Sequence, residues 1–445
     1  MYQFPKHLYA DIRIEDVYQT AITVENGDLR QNKTTRETGA FLRIWDGKRW
    51  YYSATTDLDH VQEALDGLAR LAEPNPEILR DPVVKRFEVN RDCCLRFTQR
   101  DVRQETNEKK MAMLQSYVPL VQQIPEITDW KARYMDTHTE KWFYSSLGAD
   151  LQFDYQRASV ALSFTVMAGD APQPDQVHTY QPDLDSLEGQ QKELAREIAE
   201  ILDYARRAVP VEPGVYTCVL APNVAGVFAH ESFGHKSESD FMIGSETMKK
   251  EWALGTKVGS DMLNIVDTGI PEGSGYVPYD DEGTKAKSTY LIHNGVLTGR
   301  LHSASTAAAL DEGVTGNARA INFAFEPIVR MTSTYIAGGE ESFQSLLAPV
   351  ALGVYIADFR HGSGMSTFTI APSRAYMIRD GKLAEPVRVS VITGNVMRTL
   401  HEIDGLSKDA QICSMSTGGC GKMEQWPLRV AFGGPYVRVR NIQVQ

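Results

Sequence analysis

"STFTIAPSRAYMIRDGKLAEPVRVSVITG", residues 366–394, is the stretch on which the fold turns. It reads as successive short β-runs broken at Asp380-Gly381, a pair suited to a tight hairpin because both residues tolerate positive φ. Similar runs fill the second half of the chain. They are "LNIVDTG" (263–269), "KSTYLIHNGVLTGRL" (287–301, with a second turn at Asn294-Gly295), "PIVRMTSTYIAGG" (327–339) and "GVYIADF" (353–359). Short strands punctuated by such turns predict an antiparallel sheet or barrel.

Upstream of this region, residues 187–208 form the clearest helical pattern. Leu194, Ile198, Ile201, Leu202 and Ala205 share one stripe, and the pattern ends before Pro210. Further back, "YADIRIEDVYQTAITVENGDL" (9–29) suggests two strands, and "GAFLRIWDGKRWYYSAT" (39–55) a hairpin at Asp46-Gly47. A helix follows with Val61, Leu65, Leu68 and Ala72 at helical spacing and Asp57 as its cap. A second helix is predicted over 107–118, stopped or kinked at Pro119. Residues 129–168 alternate in the strand manner, and "GDAPQPDQVHTYQPDLDS" (169–186) reads as a connector. The expected fold class is α+β. An N-terminal α/β domain with antiparallel strands occupies 1–185, a connecting helix 186–211, and an antiparallel β-rich, barrel-like domain carrying a metal-binding helix 212–445.

The bulk properties narrow the function. A length of 445 residues calls for more than one domain, and 42% hydrophobic with 23% charged residues is an ordinary globular composition. A net charge of −12 with dispersed Lys and Arg argues against nucleic acid as a partner. The start "MYQFPKHLYADIR" has no secretory pattern, and no apolar run is long enough to cross a bilayer, so a soluble, cytoplasmic protein is expected. Five irregularly spaced cysteines do not make a disulfide framework. Cys93 and Cys94, in "VNRDCCLRF" (89–97), and Cys218 read as buried or half-buried inert thiols.

The chemistry concentrates in "AHESFGHKSESD", residues 229–240. His230 and His235 are five apart, and on a regular helix at about 100° per residue they would diverge by roughly 140°. A π-bulge, with i→i+5 hydrogen bonding, would return them to one face, and Gly234 can take the distortion. The string alone is equally compatible with two structural helix histidines. A catalytic zinc also needs a third protein ligand. Cys420, in "STGGCGKMEQWP" (416–427), is the best candidate, because the glycines around it allow close approach and a thiolate is a strong zinc ligand. Cys413 reads as a strand residue. His293 abuts a turn, His302 opens an Ala-rich helix, His361 sits in a flexible loop, and His401-Glu402 lacks a second histidine. Asp280, Asp281 and Glu282 read as an acidic turn or as the group that orients a ligand histidine, while Arg319 and Lys422 could contact a peptide carboxylate or an oxyanion but, as isolated cations beside glycines, read as solvated.

These residues resemble the TldD/PmbA family of metallopeptidases, in its TldD branch. The agreement continues through "NIVDTG" (264–269), "PYDDEGTKAKSTYLIHNGVLTGRLHS" (278–303), "TGNARAINFAFEPIVRMTSTYIAGG" (315–339) and "CGKMEQWP" (420–427), in the family's order. The resemblance implies one zinc ion per chain held by His230, His235 and Cys420, with Glu231 as catalytic base and unfolded or extended peptides as substrates. A homodimer, or a heterodimer with a related metal-free subunit, is expected. The chain begins almost directly at a strand where many relatives carry a helix, and "DFRHGSGMS" (358–366) departs from the family's more glycine-rich pattern. The alternative function is a zinc-bearing scaffold subunit that binds peptides without cleaving them; an intact Glu231 favours the peptidase, since a scaffold needs the ligands but not the base.

Overall fold

The computed structural model describes residues 2–168, 171–416 and 418–445. Its first half is built on one seven-stranded sheet: β1 (Tyr9–Glu25), β2 (Asp28–Trp45), β3 (Trp50–Thr55), β4 (Arg91–Cys94), β5 (Ile127–Ser145), β6 (Asp150–Ala168) and β7 (Ala171–Gln181). The predicted hairpin is in place, with Trp45 opposite Trp50 and Gly47 at φ +95°. Trp130, Ala132, Tyr134, Val160, Leu162 and Phe164 bury the face that their alternation marks out.

Several local readings need correction. The stretch expected as a connector is mostly β7, paired antiparallel with β6 from Ala158 opposite Gln181 onward; its residues 169–170 lie outside the described residues. Its prolines are tolerated because β7 is an edge strand bonded on one side only. Asp57 does not cap α1 (Val61–Ala69); its carboxylate instead meets the ring of His60 at 2.8 Å. Cys93 is exposed rather than buried, since β4 is a short edge strand. All five cysteines are unpaired. Helix α2 (Asn107–Tyr117) ends just before Pro119, as expected.

Helix α3 (Gln191–Arg207) lays Leu194, Ile198, Ile201 and Leu202 into the same core as β5 and β6. At its far end Tyr204 donates to the Val387 carbonyl in the second half of the chain. That half contains a closed barrel of β8 (Gly214–Leu220), β9 (Leu352–Gly364), β10 (Thr367–Arg379), β11 (Ile392–Asn395) and β12 (Val437–Val444). The ring closes because β9 pairs with both β8 and β10. One of its pairings, β8 with β9, is parallel, which the long excursion from residue 221 to 351 makes possible. That excursion, with strands from the C-terminal region, forms a six-stranded sheet that includes Ile265–Thr268, Ser333–Ile336 and Ala431–Gly434. Among the described residues, no helix is long and apolar enough to cross a membrane.

Candidate metal centre

Immediately after β8 the chain turns at Pro222 into α4 (Pro222–Ala229), all but one of whose residues are buried. Gly226 lets this helix press directly on the six-stranded sheet, since a Cβ there would lie 2.4 Å from the Gly433 nitrogen. From His230 to Gly234 the helix widens into one π-turn and then tightens into a 3₁₀ turn, His235–Ser237. The expected distortion is present and brings the two imidazoles edge to face, with ring centroids 5.1 Å apart. The reason for Gly234 is different from the one expected. Its backbone is ordinary right-handed helix, φ −55° and ψ −52°, but a Cβ would meet Met331 Sδ at 2.1 Å. Glycine is there for space, not for conformational freedom.

Cys420 reaches the histidines from the short antiparallel hairpin Cys420–Lys422/Gln425–Leu428. Gly419 allows the close approach, because a Cβ on it would lie 2.4 Å from the Leu428 carbonyl. Arg330, fully buried, donates from Nη2 to the Cys420 carbonyl at 2.7 Å and fixes the hairpin. The ligand atoms of His230, His235 and Cys420 all lie within 4.8 Å of one another. Cys420 Sγ is 3.4 Å from His235 Nε2. Two such ligands on one tetrahedral zinc would stand about 3.5 Å apart, from typical Zn–N and Zn–S lengths. The donor set of two imidazoles and a thiolate suits zinc, and His230 Nδ1 is buried with no hydrogen-bond partner among the described residues. These residues fit a zinc ion.

The electrostatics agree. Burial opposes the Cys420 thiolate, but the two histidines outweigh it and hold the thiol down to about 5. Burial likewise opposes a charged His235, while Cys420 and Glu238 hold it up to about 10. The metal-free pair is thus thiolate and imidazolium, and a metal cation would take the place of the proton. Glu231, on the π-turn beside His230, has its carboxyl pushed up by burial and pulled down by both histidines. The β9–β10 ribbon covers it: a Cβ on Gly364 would lie 3.0 Å from the Glu231 carbonyl. His361 belongs to this ribbon rather than to a flexible loop.

The residue that orients His235 is Glu238. Its Oε2 meets His235 Nδ1 at 3.2 Å, which turns Nε2 toward Cys420. Lys422 Nζ in turn lies 3.1 Å from Glu238 and 2.7 Å from Asp240, and donates to the Val329 carbonyl. Lys422 is therefore a buried structural cation, not a solvated one. Glu238 stands three residues after His235, one helical turn along, a spacing that could have flagged it. Asp280, Asp281 and Glu282 are spent elsewhere. Asp280 accepts from the Glu282, Thr284 and Ala318 N–H groups, Asp281 from Lys141, and Glu282 from Arg43. Arg319, also buried, donates to the Met331 and Arg429 carbonyls.

Comparison with known proteins places this arrangement. The profile of the PmbA/TldA metallopeptidase C-terminal domain matches residues 213–445, and that of metallopeptidase domain 1 matches residues 10–73. The chain belongs to the TldD/PmbA metallopeptidase family. A metalloprotease of Synechocystis is 31% identical, over 98% of this chain and 94% of that protein. The zinc metalloprotease TldD homolog of Saccharolobus solfataricus is 26% identical, over 98% and 96%. Among solved structures, TldE from Thermococcus kodakarensis superposes with a TM-score of 0.74 at 14% identity, covering 98% of this chain and 96% of that one, and so shares the fold. In this chain the helix that leads into His230 packs between barrel and sheet, and each contributes to its surroundings.

Proposed function

We propose that this chain is a zinc-dependent peptidase that hydrolyses extended or unfolded peptides, with one zinc ion held by His230, His235 and Cys420. The observation that carries the reading is the convergence of those three donors around the turn that also bears Glu231. A zinc ion bound there supplies Lewis acidity, which polarises a scissile carbonyl and makes water more acidic. Glu231 takes the proton of the attacking water and passes it to the nitrogen of the departing amine. Glu238 and Lys422 hold His235 in the tautomer that leaves Nε2 free for the metal. Phe432 lies 6.3 Å from the His230 ring with Phe359 against it, and both rings line an open cavity of about 640 Å³.

A second chain belongs to this reading, as a copy of this one or a related metal-free subunit. Met423 and Trp426 are 77% and 64% exposed at the tip of the hairpin that carries Cys420, an apolar surface suited to a neighbour at the site. The test combines metal analysis, turnover of an unfolded peptide library with and without chelator, and mass measurement in solution. Zinc at one per chain with chelator-sensitive cleavage is expected. Stoichiometric zinc without cleavage, in the presence of every candidate subunit, would make the chain a scaffold.

A further inference from the structure

The face of the N-terminal sheet that looks toward the second half of the chain encloses a cavity of about 260 Å³. Strands β1, β5, β6 and β7 supply one wall; Tyr276, Arg319 and Leu428 belong to the other. Most charge around it is balanced. Glu15 and Asp281 are both taken up by Lys141, at 3.1 and 2.6 Å, and by Arg13, at 2.9 and 3.7 Å. Glu37 is exposed.

Arg157 is the exception. Its side chain lines the cavity and is only 6% exposed, yet among the described residues it forms no salt bridge. Among the described residues its only side-chain hydrogen bonds are long ones to Thr137 Oγ1, at 3.3 and 3.4 Å, and Nη1 has no partner. Burial lowers the guanidinium to about 10, and Asp136, whose charge opposes this, is already bound to Lys110 at 2.7 Å. Arg319 lines the same cavity and also lacks a carboxylate partner among the described residues, spending its donors on two carbonyls. A chain of net charge −12 thus keeps two buried guanidinium groups, without a carboxylate partner among the described residues, at the wall of an open space. An unpaired buried charge is costly to retain unless something outside the chain neutralises it.

We propose that this cavity is a carboxylate-binding site, in which Arg157 receives the α-carboxylate of a peptide C-terminus or of a small free amino-acid derivative. The planar guanidinium fork matches a carboxylate in two parallel hydrogen bonds. Tyr155, Ile321 and Phe323 give the adjoining wall an apolar body against which an attached side chain can pack. The space far exceeds the ~30 Å³ of a single water. Leu428, which also lines it, is the backbone partner of Cys420, so the cavity adjoins the hairpin of the metal centre. The site does not depend on the hydrolytic reading, because binding alone defines it.

The test is calorimetry on the full-length protein with N-acetyl-L-leucine and with N-acetyl-trialanine, each beside its C-terminal amide. The acids are expected to bind at least about tenfold more tightly than the amides, the worth of one hydrogen-bonded charge. Arg157→Gln is expected to abolish that preference. Arg157→Lys keeps the charge without the fork, should retain a reduced preference, and decides the matter if the Gln variant does not fold. Equal affinity for acid and amide, or an acid preference untouched by substitution at Arg157, overturns the proposal. A tripeptide acid that binds more tightly than the amino-acid derivative assigns the site to a peptide terminus; equal binding of the two acids assigns it to a small free acid.

Discussion

Two regions of this molecule bury many ionisable groups, and they treat them in opposite ways. Where the N-terminal sheet meets the second half of the chain, Arg43 bridges Asp11 at 2.7 Å and Glu282 at 2.8 Å, and Lys141 bridges Glu15 and Asp281. Asp280 and Glu282 fill their remaining capacity with backbone N–H groups. Around the π-turn, by contrast, His230 Nδ1 has no hydrogen-bond partner among the described residues, and Cys420 and His235 have chiefly each other. Charges that pair with one another across an interface hold a structure together, whereas donors that converge on one point suit a cation. Both motifs are dense in His, Asp, Glu or Lys, so the distinction lies in partners, not in composition.

The contrast is broken most severely at the ligands. His230→Ala or Cys420→Ala is expected to strip nearly all zinc, because a three-ligand site that loses one ligand loses most of its affinity, while Cys413→Ala leaves it in place. Elemental analysis of the purified variants checks this. Full occupancy in Cys420→Ala would remove that residue from the site. Glu231→Gln should keep the metal and lower peptide turnover by roughly 10²- to 10⁴-fold, the usual worth of a general base. Turnover within a few-fold of the parent, at matched zinc content, would dismiss Glu231 from that role.

On the structural side, Arg43→Met leaves Asp11 and Glu282 buried without a cation. A loss of about 3–5 kcal/mol in unfolding free energy is expected, with zinc content per folded chain unchanged. Denaturant titration reads the first and elemental analysis the second; zinc lost from the folded fraction would mean the two regions are not separable. Glu238→Gln tests the link between charge and metal, and should weaken zinc affinity by about 10- to 100-fold in a competition titration while the fold stays intact. Unaltered affinity would relegate Glu238 to packing. The smallest effect is expected at Gly234→Ala, which forces Met331 aside and should cost about 1–3 kcal/mol of stability. The double variant with Met331→Ala should recover much of it. No recovery would return the requirement for glycine to the backbone.

Strand alternation in residues 129–168, the turns at Asp46-Gly47 and Asp380-Gly381, and the stripe on α3 were legible because each depends on neighbours a few residues apart. The same locality made the π-turn readable, since the i,i+5 spacing of His230 and His235 permits no other way to share a face. Cys420 stood out through its flanking glycines, but what brings it within 3.4 Å of His235, across 185 residues of chain, is the hairpin carrying it and the buried Arg330 that fixes that hairpin. The assignment of carboxylates was not legible at all. Nothing local separates Glu238, which orients His235, from Asp281 and Glu282, which lock two halves of the molecule together. The sequence by itself determined which residues could make strands, which turn must widen if its two histidines are to share a face, and which donors could bind a metal. Tertiary structure decided which charge each carboxylate meets and which, like Arg157, meet none, because those contacts form only when distant elements pack and water is excluded between them.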